Sequence, residues 1–239
     1  MRRFLLALPL LVPALATSQQ VVETTTGVTA LLQALSAVDS NVVWASGHQG
    51  VVLRSVDGGR NWQAIHVPGS DSLQFRDIHA ESTDLAWILS AGPGELSRIF
   101  HTRDGGRTWV MQFRNADPEA FYDCFTFFDS RRGVAFGDAS GGRTNLLLTR
   151  NAGATWELMD PALAPEGAFA ASGGCVTNHG QRHGWVALGS PAARIFRTEN
   201  SGATWSIHQT PLVRGDAAGL TAVSFRDQEH GIAVAGRIG

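Results

Sequence analysis

One eight-residue phrase is written four times along this 239-residue chain. Its copies run from Ser55 to Trp62, Thr102 to Trp109, Thr149 to Trp156 and Thr198 to Trp205, and successive copies start 47, 47 and 49 residues apart. A fixed period of that size marks a repeat architecture, in which each unit buries its apolar surface only against its neighbours. The first role of residues that recur in every copy is therefore to maintain the repeat.

The phrase has the chemistry of a tight turn. Its third position is Asp57, Asp104, Asn151 or Asn200. Asp and Asn side chains both accept hydrogen bonds from backbone N–H groups a few residues on, so the turn closes with or without a charge. Its fifth position is always glycine (Gly59, Gly106, Gly153, Gly202), which suits a positive φ. Hydroxyls open it at Ser55, Thr102, Thr149 and Thr198; Thr108, Thr155 and Thr204 precede the last residue in three copies, and Asn61 stands there in the first. Each copy ends on tryptophan (Trp62, Trp109, Trp156, Trp205), a large apolar body with one N–H donor, suited to packing between units.

Short apolar runs flank every copy, as at Val51-Val52-Leu53 before the first and Trp109 to Phe113 after the second. Two strand-length runs split by a Gly and Asp/Asn cluster read as a β-hairpin. Upstream lies another strand in each unit, at Val42–Ala45, Leu85–Leu89, Gly133–Phe136 and Gly184–Leu188. A further segment precedes it, clearest at Phe75–Ala80, Tyr122–Phe128 and Leu220–Phe225. Four short strands per period of about 47 residues give the sequence form of a β-propeller blade. The expected class is all-β, with no helix after the N-terminal leader. The expected blades are residues 28–68, 69–115, 116–162, 163–211 and an incomplete 212–239.

The phrase resembles the Asp-box, or BNR repeat, whose pattern is Ser/Thr-x-Asp-x-Gly-x-Thr-Trp. The first two copies match well, with Asn61 departing at the Thr position, and the third and fourth depart at the Asp. The resemblance covers most of residues 28–236, because the flanking strands repeat too. It implies a structural hairpin on the outer side of each blade. A continuous run of such blades behind a leader is similar to the photosystem II assembly and stability factor type, which implies a non-catalytic scaffold that binds another protein. Sialidases and xyloglucanases carry the box as well, so a carbohydrate-active enzyme, or a glycan-binding module without turnover, is the alternative.

The chain opens with Met1-Arg2-Arg3, an apolar stretch from Phe4 to Leu15 and small residues at Ala14 and Ala16. This reads as a secretory signal peptide over residues 1–16, with the mature domain over 17–239 and an exported, periplasmic or extracellular location. The apolar run of about twelve residues is shorter than the roughly twenty a spanning helix needs. Val21–Thr26 reads as an outermost strand placed before the first blade, of the kind that completes a last blade and covers its edge. The fifth unit ends before its box, so the expectation is a chain truncated from a ring of about seven blades.

All 19 basic residues are arginine, which excludes a Schiff-base or phosphate-binding lysine. The expected mature chain has 17 basic against 21 acidic residues, with no basic run or aromatic platform for nucleic acid. In the geometry the resemblance implies, the first strand of each blade lines the axis, and its start is where reactive groups sit. Those positions offer Arg76-Asp77 and Tyr122-Asp123, the latter with the only tyrosine of the chain. A glycosidase needs two carboxylates about 5–10 Å apart, or a tyrosine nucleophile in the sialidase variant. Solvated strand ends are the plainer reading of Asp77 and Asp123. His179 and His183 lie four apart on a Gly-rich loop, and the eight histidines offer no metal-ligand pattern, so neither a metal nor a cofactor is expected. Asp138–Arg143 is a second Gly-rich loop, read as a long turn with an anion cradle as the alternative. Cys124 and Cys175 fall on first strands of consecutive blades. Their offsets within the repeat differ by about two residues, so two buried free thiols are expected and a disulfide is the alternative.

Overall fold

A computed structural model describes residues 21–159, 165–169 and 172–237. The expected signal peptide lies outside them. The chain is almost entirely β, and its one helical feature among the described residues is a short 3-10 turn at Gly94–Leu96. The strands form antiparallel sheets in chain order. Strands β1 (Leu32–Ala37), β2 (Val43–Gly47), β3 (Val51–Ser55) and β4 (Gln63–His66) make the first sheet. The second contains β5 (Phe75–Ala80), β6 (Ala86–Ser90), β7 (Arg98–Thr102) and β8 (Val110–Arg114). The third is built from β9 (Phe121–Phe127), β10 (Gly133–Ser140), β11 (Arg143–Thr149) and β12 (Glu157–Met159). The fourth holds β13 (Val176–His179), β14 (His183–Ala187), β15 (Arg194–Thr198) and β16 (Ser206–Gln209). A hairpin of β17 (Ala218–Phe225) and β18 (Gly231–Arg237) follows.

Successive sheets meet through their first strands, β1 on β5, β5 on β9, β9 on β13 and β13 on β17. Consecutive four-stranded sheets stacked around an axis lined by their first strands make a β-propeller, with four full blades and a fifth hairpin here. The alternation of strand side chains gives each blade two apolar faces. The core is correspondingly divided into four layers, one between each pair of neighbouring blades. Trp44, Trp87 and Trp185 sit on the second strands and are fully buried in those layers.

The repeated phrase joins the third strand to the fourth in every full blade, and one hydrogen-bond pattern holds all four copies. The opening hydroxyl accepts from the N–H of the conserved glycine, as Thr102 Oγ1 does from Gly106 at 2.9 Å and Ser55 Oγ from Gly59 at 2.8 Å. The third residue accepts from the backbone four positions on, Asp104 Oδ1 from Thr108 N at 2.8 Å and Asn200 Oδ1 from Thr204 N at 2.8 Å. Where the residue is Asp104, the Thr108 hydroxyl donates to it at 2.6 Å. Where it is Asn151 or Asn200, the amide donates instead to Thr155 or Thr204, at 2.9 and 2.8 Å. A hydroxyl works in both directions, which is why Asp and Asn exchange at this position. The hydrogen bonds from Thr108 hold the Asp104 carboxyl down at about 2. All four glycines take a positive φ, from 80° at Gly153 to 85° at Gly106 and Gly202.

The phrase also packs one blade on the next. A Cβ at Gly106 would meet Ile65 of the blade before it, and one at Gly202 would meet Val134. Trp109, Trp156 and Trp205 pack against the layers that separate neighbouring blades. In the first blade Gly59 meets only its own Trp62.

Val21–Thr26 is not the outermost strand expected from sequence. It forms no strand, and its Thr24 hydroxyl donates to the Gly59 carbonyl at 2.9 Å. The segment lies against Gly58–Arg60 and Trp62, which no earlier blade covers, rather than along a sheet edge.

Candidate functional site on the inner strands

The four residues singled out at the strand starts lie on β5 and β9. Each of these strands carries a one-residue bulge. Phe75 and Asp77 pair with the adjacent Ser90 and Leu89, leaving Arg76 as the extra residue. Tyr122 and Cys124 pair with Gly137 and Phe136, leaving Asp123. Bulges re-aim side chains at sheet edges and near sites. Arg76 and Asp123 are thus the equivalent pair, while Asp77 corresponds to Cys124. The two aspartates do not occupy matching positions.

Asp77 is a brace. Its Oδ1 accepts from Ile78 N at 2.7 Å and its Oδ2 from Phe125 N at 2.8 Å, so one carboxyl joins β5 to β9 of the next blade. Burial pushes its pKa up to about 8, against the opposing pull of the two N–H donors. Arg76 is turned to Gln74, whose Oε1 accepts from Nε at 3.0 Å. Tyr122 is buried, with its ring edge-to-face on Phe113 at 5.3 Å, and burial, reinforced by Asp117, pushes its phenol up to about 12. Asp123 is 1% exposed. Asp77 and Asp123 are buried, not the solvated strand ends expected from sequence, and Arg76 is half-buried.

Over Asp77 lies the chain between the third and fourth blades. Glu166 is buried and pairs with Arg194 at the start of β15. The Glu166 carbonyl accepts from Ala139 N, and Ala168 N donates to Asp138 Oδ1 at 3.1 Å. Gly167 exchanges backbone bonds with Gly189 and Ser190, and the Phe169 ring lies over Gly189. Further on, Gly173 has φ +68° and sits so close to Asp77 that a Cβ would overlap its Oδ1. The Gly174 carbonyl accepts from Val223 N at 2.9 Å, and Ser172 reaches the cavity bounded by Leu32 to Leu35 of the first blade. The described residues of this connection touch all five units. Sequence reasoning missed it; the signals were Gly173-Gly174 and an acidic residue, Glu166, in an otherwise apolar stretch.

The connection ends at Cys175, which is joined to Cys124 in a disulfide with Cα atoms 6.1 Å apart. The expected pair of free thiols is therefore corrected. The two-residue offset comes from the connection between second and third strands, not from the cysteines. Cys124 pairs with Phe136, which pairs with Leu146, three residues before Thr149. Cys175 accepts at its carbonyl from Ala187 N, and Ala187 pairs with Ile195, three residues before Thr198. The stretch from Ala187 to Ile195 is two residues shorter than that from Phe136 to Leu146, so the cysteines stand at the same level on adjacent blades.

No cluster of three or more metal-ligating side chains occurs among the described residues. His179 and His183 face each other across the β13–β14 pair, and the His183 ring stacks 6.4 Å from Trp185. Asp138–Arg143 is not the long turn expected: Asp138–Ser140 end β10, Arg143 begins β11, and only Gly141 and Gly142 turn between them, at φ 56° and 76°. Arg98 and Arg194 begin third strands; Arg98 Nε donates to the Glu95 carbonyl.

No protein-family profile matches the chain. No curated protein matches its sequence. Among solved structures, an ancestral GH74 enzyme is 14% identical with a TM-score of 0.55, and the match covers 80% of this chain but 27% of that one. The GH74 xyloglucanase from Xanthomonas campestris is 14% identical with a TM-score of 0.53, over 85% of this chain and 38% of that one. YCF48 bound to a D1 peptide is 13% identical with a TM-score of 0.48, over 87% of this chain and 91% of that one. The likeness to the two GH74 structures is one of propeller fold, and this chain spans well under half of either enzyme.

Proposed function

We propose that this chain is an exported, non-catalytic propeller that presents its loops and sheet faces to another protein, the role implied by its resemblance to Asp-box assembly factors. The observation that carries the reading is the commitment of the inner-strand polar groups. Both oxygens of Asp77 are held by backbone N–H groups, Tyr122 is packed on Phe113, and the segment around Gly173 lies over the site. A glycosidase needs one carboxyl free to meet the leaving-group oxygen and a second to meet the sugar or a water. The test is release of reducing sugar from xyloglucan and of sialic acid from a sialoside, using native protein and the Asp77→Asn and Asp123→Asn variants. No turnover by the native protein is expected. Turnover abolished by either substitution would overturn the scaffold reading.

One observation favours the second reading, a carbohydrate-active enzyme using Asp77 and Asp123. A carboxyl lifted to about 8 keeps its proton at neutral pH, as a general acid must. That reading requires the segment around Gly173 to withdraw from Asp77, and the hydrolysis assay decides it.

A further inference from the structure

The first two strands of every unit are joined at one matching rung, next to the turn between them. Val38 N donates there to the Val42 carbonyl, Glu81 N to Leu85, Phe128 N to Arg132 and Arg226 N to His230. In the fourth blade the rung is His179 paired with His183. Register establishes the match, because Ser36 with Trp44, His79 with Trp87, Thr126 with Val134 and Thr177 with Trp185 are the rungs two residues further in. In the first three blades the rung serves packing. Val38, Val42 and Leu85 lie against the interblade layers, and Phe128 is buried in one. The repeat therefore asks for apolar side chains here, and two imidazoles on one rung depart from it.

Directly opposed residues of an antiparallel pair point to the same face, with Cβ atoms about 4.5–5.5 Å apart. Two imidazoles so placed can each turn a ring nitrogen to one point, at the distance of about 2.0–2.1 Å that zinc takes from histidine. Strand pairing supplies the facing arrangement that a spacing of four on a Gly-rich loop did not.

The hairpin that carries the pair is held in place. Ser201 Oγ donates to the Gln181 carbonyl at 2.7 Å and Ser201 N to the Arg182 carbonyl at 2.9 Å, so the fourth copy of the phrase fixes the turn. Asn178 Nδ2 donates to the Gly180 carbonyl at 3.2 Å, and its Oδ1 accepts from Thr126 of the third blade at 3.0 Å. The His183 ring stacks on Trp185, which lies on Phe225 at 3.9 Å. Both histidines are half-buried, beside the exposed Gly180, Gln181 and Arg182. Arg182 is drawn towards the end of β15, where its Nε donates to the Glu199 carbonyl at 3.2 Å.

We propose that His179 and His183 chelate a divalent transition ion of the Zn2+ type, which clips β13 to β14. Imidazole nitrogens suit such ions, whereas Mg2+ and Ca2+ take oxygen ligands. Two protein ligands leave positions on the ion open to water, so the site exchanges its ion instead of burying it. The ion binds the paired strands and not the separated ones, so it stabilises the folded chain by mass action.

Calorimetric titration of the full chain with ZnCl2 at neutral pH tests this, with His179→Asn, His183→Asn and, as a control, His230→Asn. Native protein and the control are expected to take up one ion with the same affinity, and zinc is expected to raise the urea midpoint of both. His179→Asn and His183→Asn are each expected to lose about tenfold or more in affinity, since even changes to groups that only support metal ligands cost that much. Their midpoints are expected to match the native one without zinc, which shows that they fold, and not to respond to zinc. Labelling of native protein with diethyl pyrocarbonate, located by peptide mapping, asks the same question without any substitution. Zinc is expected to shield His179 and His183 and to leave His208 and His230 reactive. Native protein that takes up no zinc would overturn the proposal. So would zinc binding that survives both substitutions, or shielding of other histidines in place of this pair, either of which means an adventitious ion only.

Discussion

At the scale of single residues, the repeated turn separates the groups that close it from those that only decorate it. Asp104→Asn is expected to leave the melting temperature unchanged within error, because Asn151 and Asn200 already make the same backbone bond. Thr102→Val removes the acceptor for the buried Gly106 N–H, and is expected to cost about 1–3 kcal/mol in urea unfolding. Two histidines give the pH dependence a sign. His101 stacks on Trp87 at 4.6 Å and His79 lies 6.2 Å from the same ring. Burial lowers both from 6.5 to about 4. At these two residues the unfolded chain binds more protons in that window, so their contribution to stability falls as pH drops from 6.5 towards 4 and is regained on return, against the opposite contribution of Asp77. A double His79→Gln, His101→Gln variant is expected to flatten that limb of a stability–pH curve, and an unchanged slope would show that other groups set it.

At the scale of elements, the turn and the interblade layer can be weighed against each other. Gly59 and Gly106 take the same strained φ, 83° and 85°, but only Gly106 is pressed by a neighbouring blade, at Ile65. Gly59→Ala should therefore cost about 1–2 kcal/mol from backbone strain alone. Gly106→Ala should cost more, and the difference between the two measures the packing of one blade on the next. Equal losses would mean that Ile65 yields freely. The hairpins, the second strands and the β5 segment Phe75–Ala80 were legible because a 47-residue period repeats local chemistry, with hydroxyl, Asp or Asn, Gly and Trp in fixed order. The inner strands were less legible. Asp77 and Asp123 stand 25 and 26 residues before Thr102 and Thr149, and because β5 and β9 carry the same bulge that one-residue difference puts them at different positions. The Cys124–Cys175 pairing was hidden by the two-residue difference between the stretches Phe136–Leu146 and Ala187–Ile195.

At the scale of the whole molecule, the connection through Glu166, Gly173 and Cys175 ties together units that otherwise meet only their neighbours. The disulfide pins its end at the level of Asp77 and Cys124, so replacing Cys124 and Cys175 with alanine is expected to cost about 2–5 kcal/mol in equilibrium unfolding. An unchanged midpoint would mean that the two thiols are not joined in the folded chain. The sequence marks this connection only by Gly173-Gly174 and Glu166, because the partners of its contacts lie on blades distant along the chain.

The inner strands form a closed framework in which Asp77 is held by backbone N–H groups of two blades. Native-state hydrogen exchange resolved at Phe125, Ile78 and Val223 tests it most directly. Phe125 and Ile78 donate to Asp77, and Val223 donates to the Gly174 carbonyl. These three amides are expected to exchange as slowly as those in the centres of β6 and β10. Exchange as fast as that of the exposed turns, at Phe125 and Val223 together, would contradict it. The axis would then open in solution, with Asp77 meeting water.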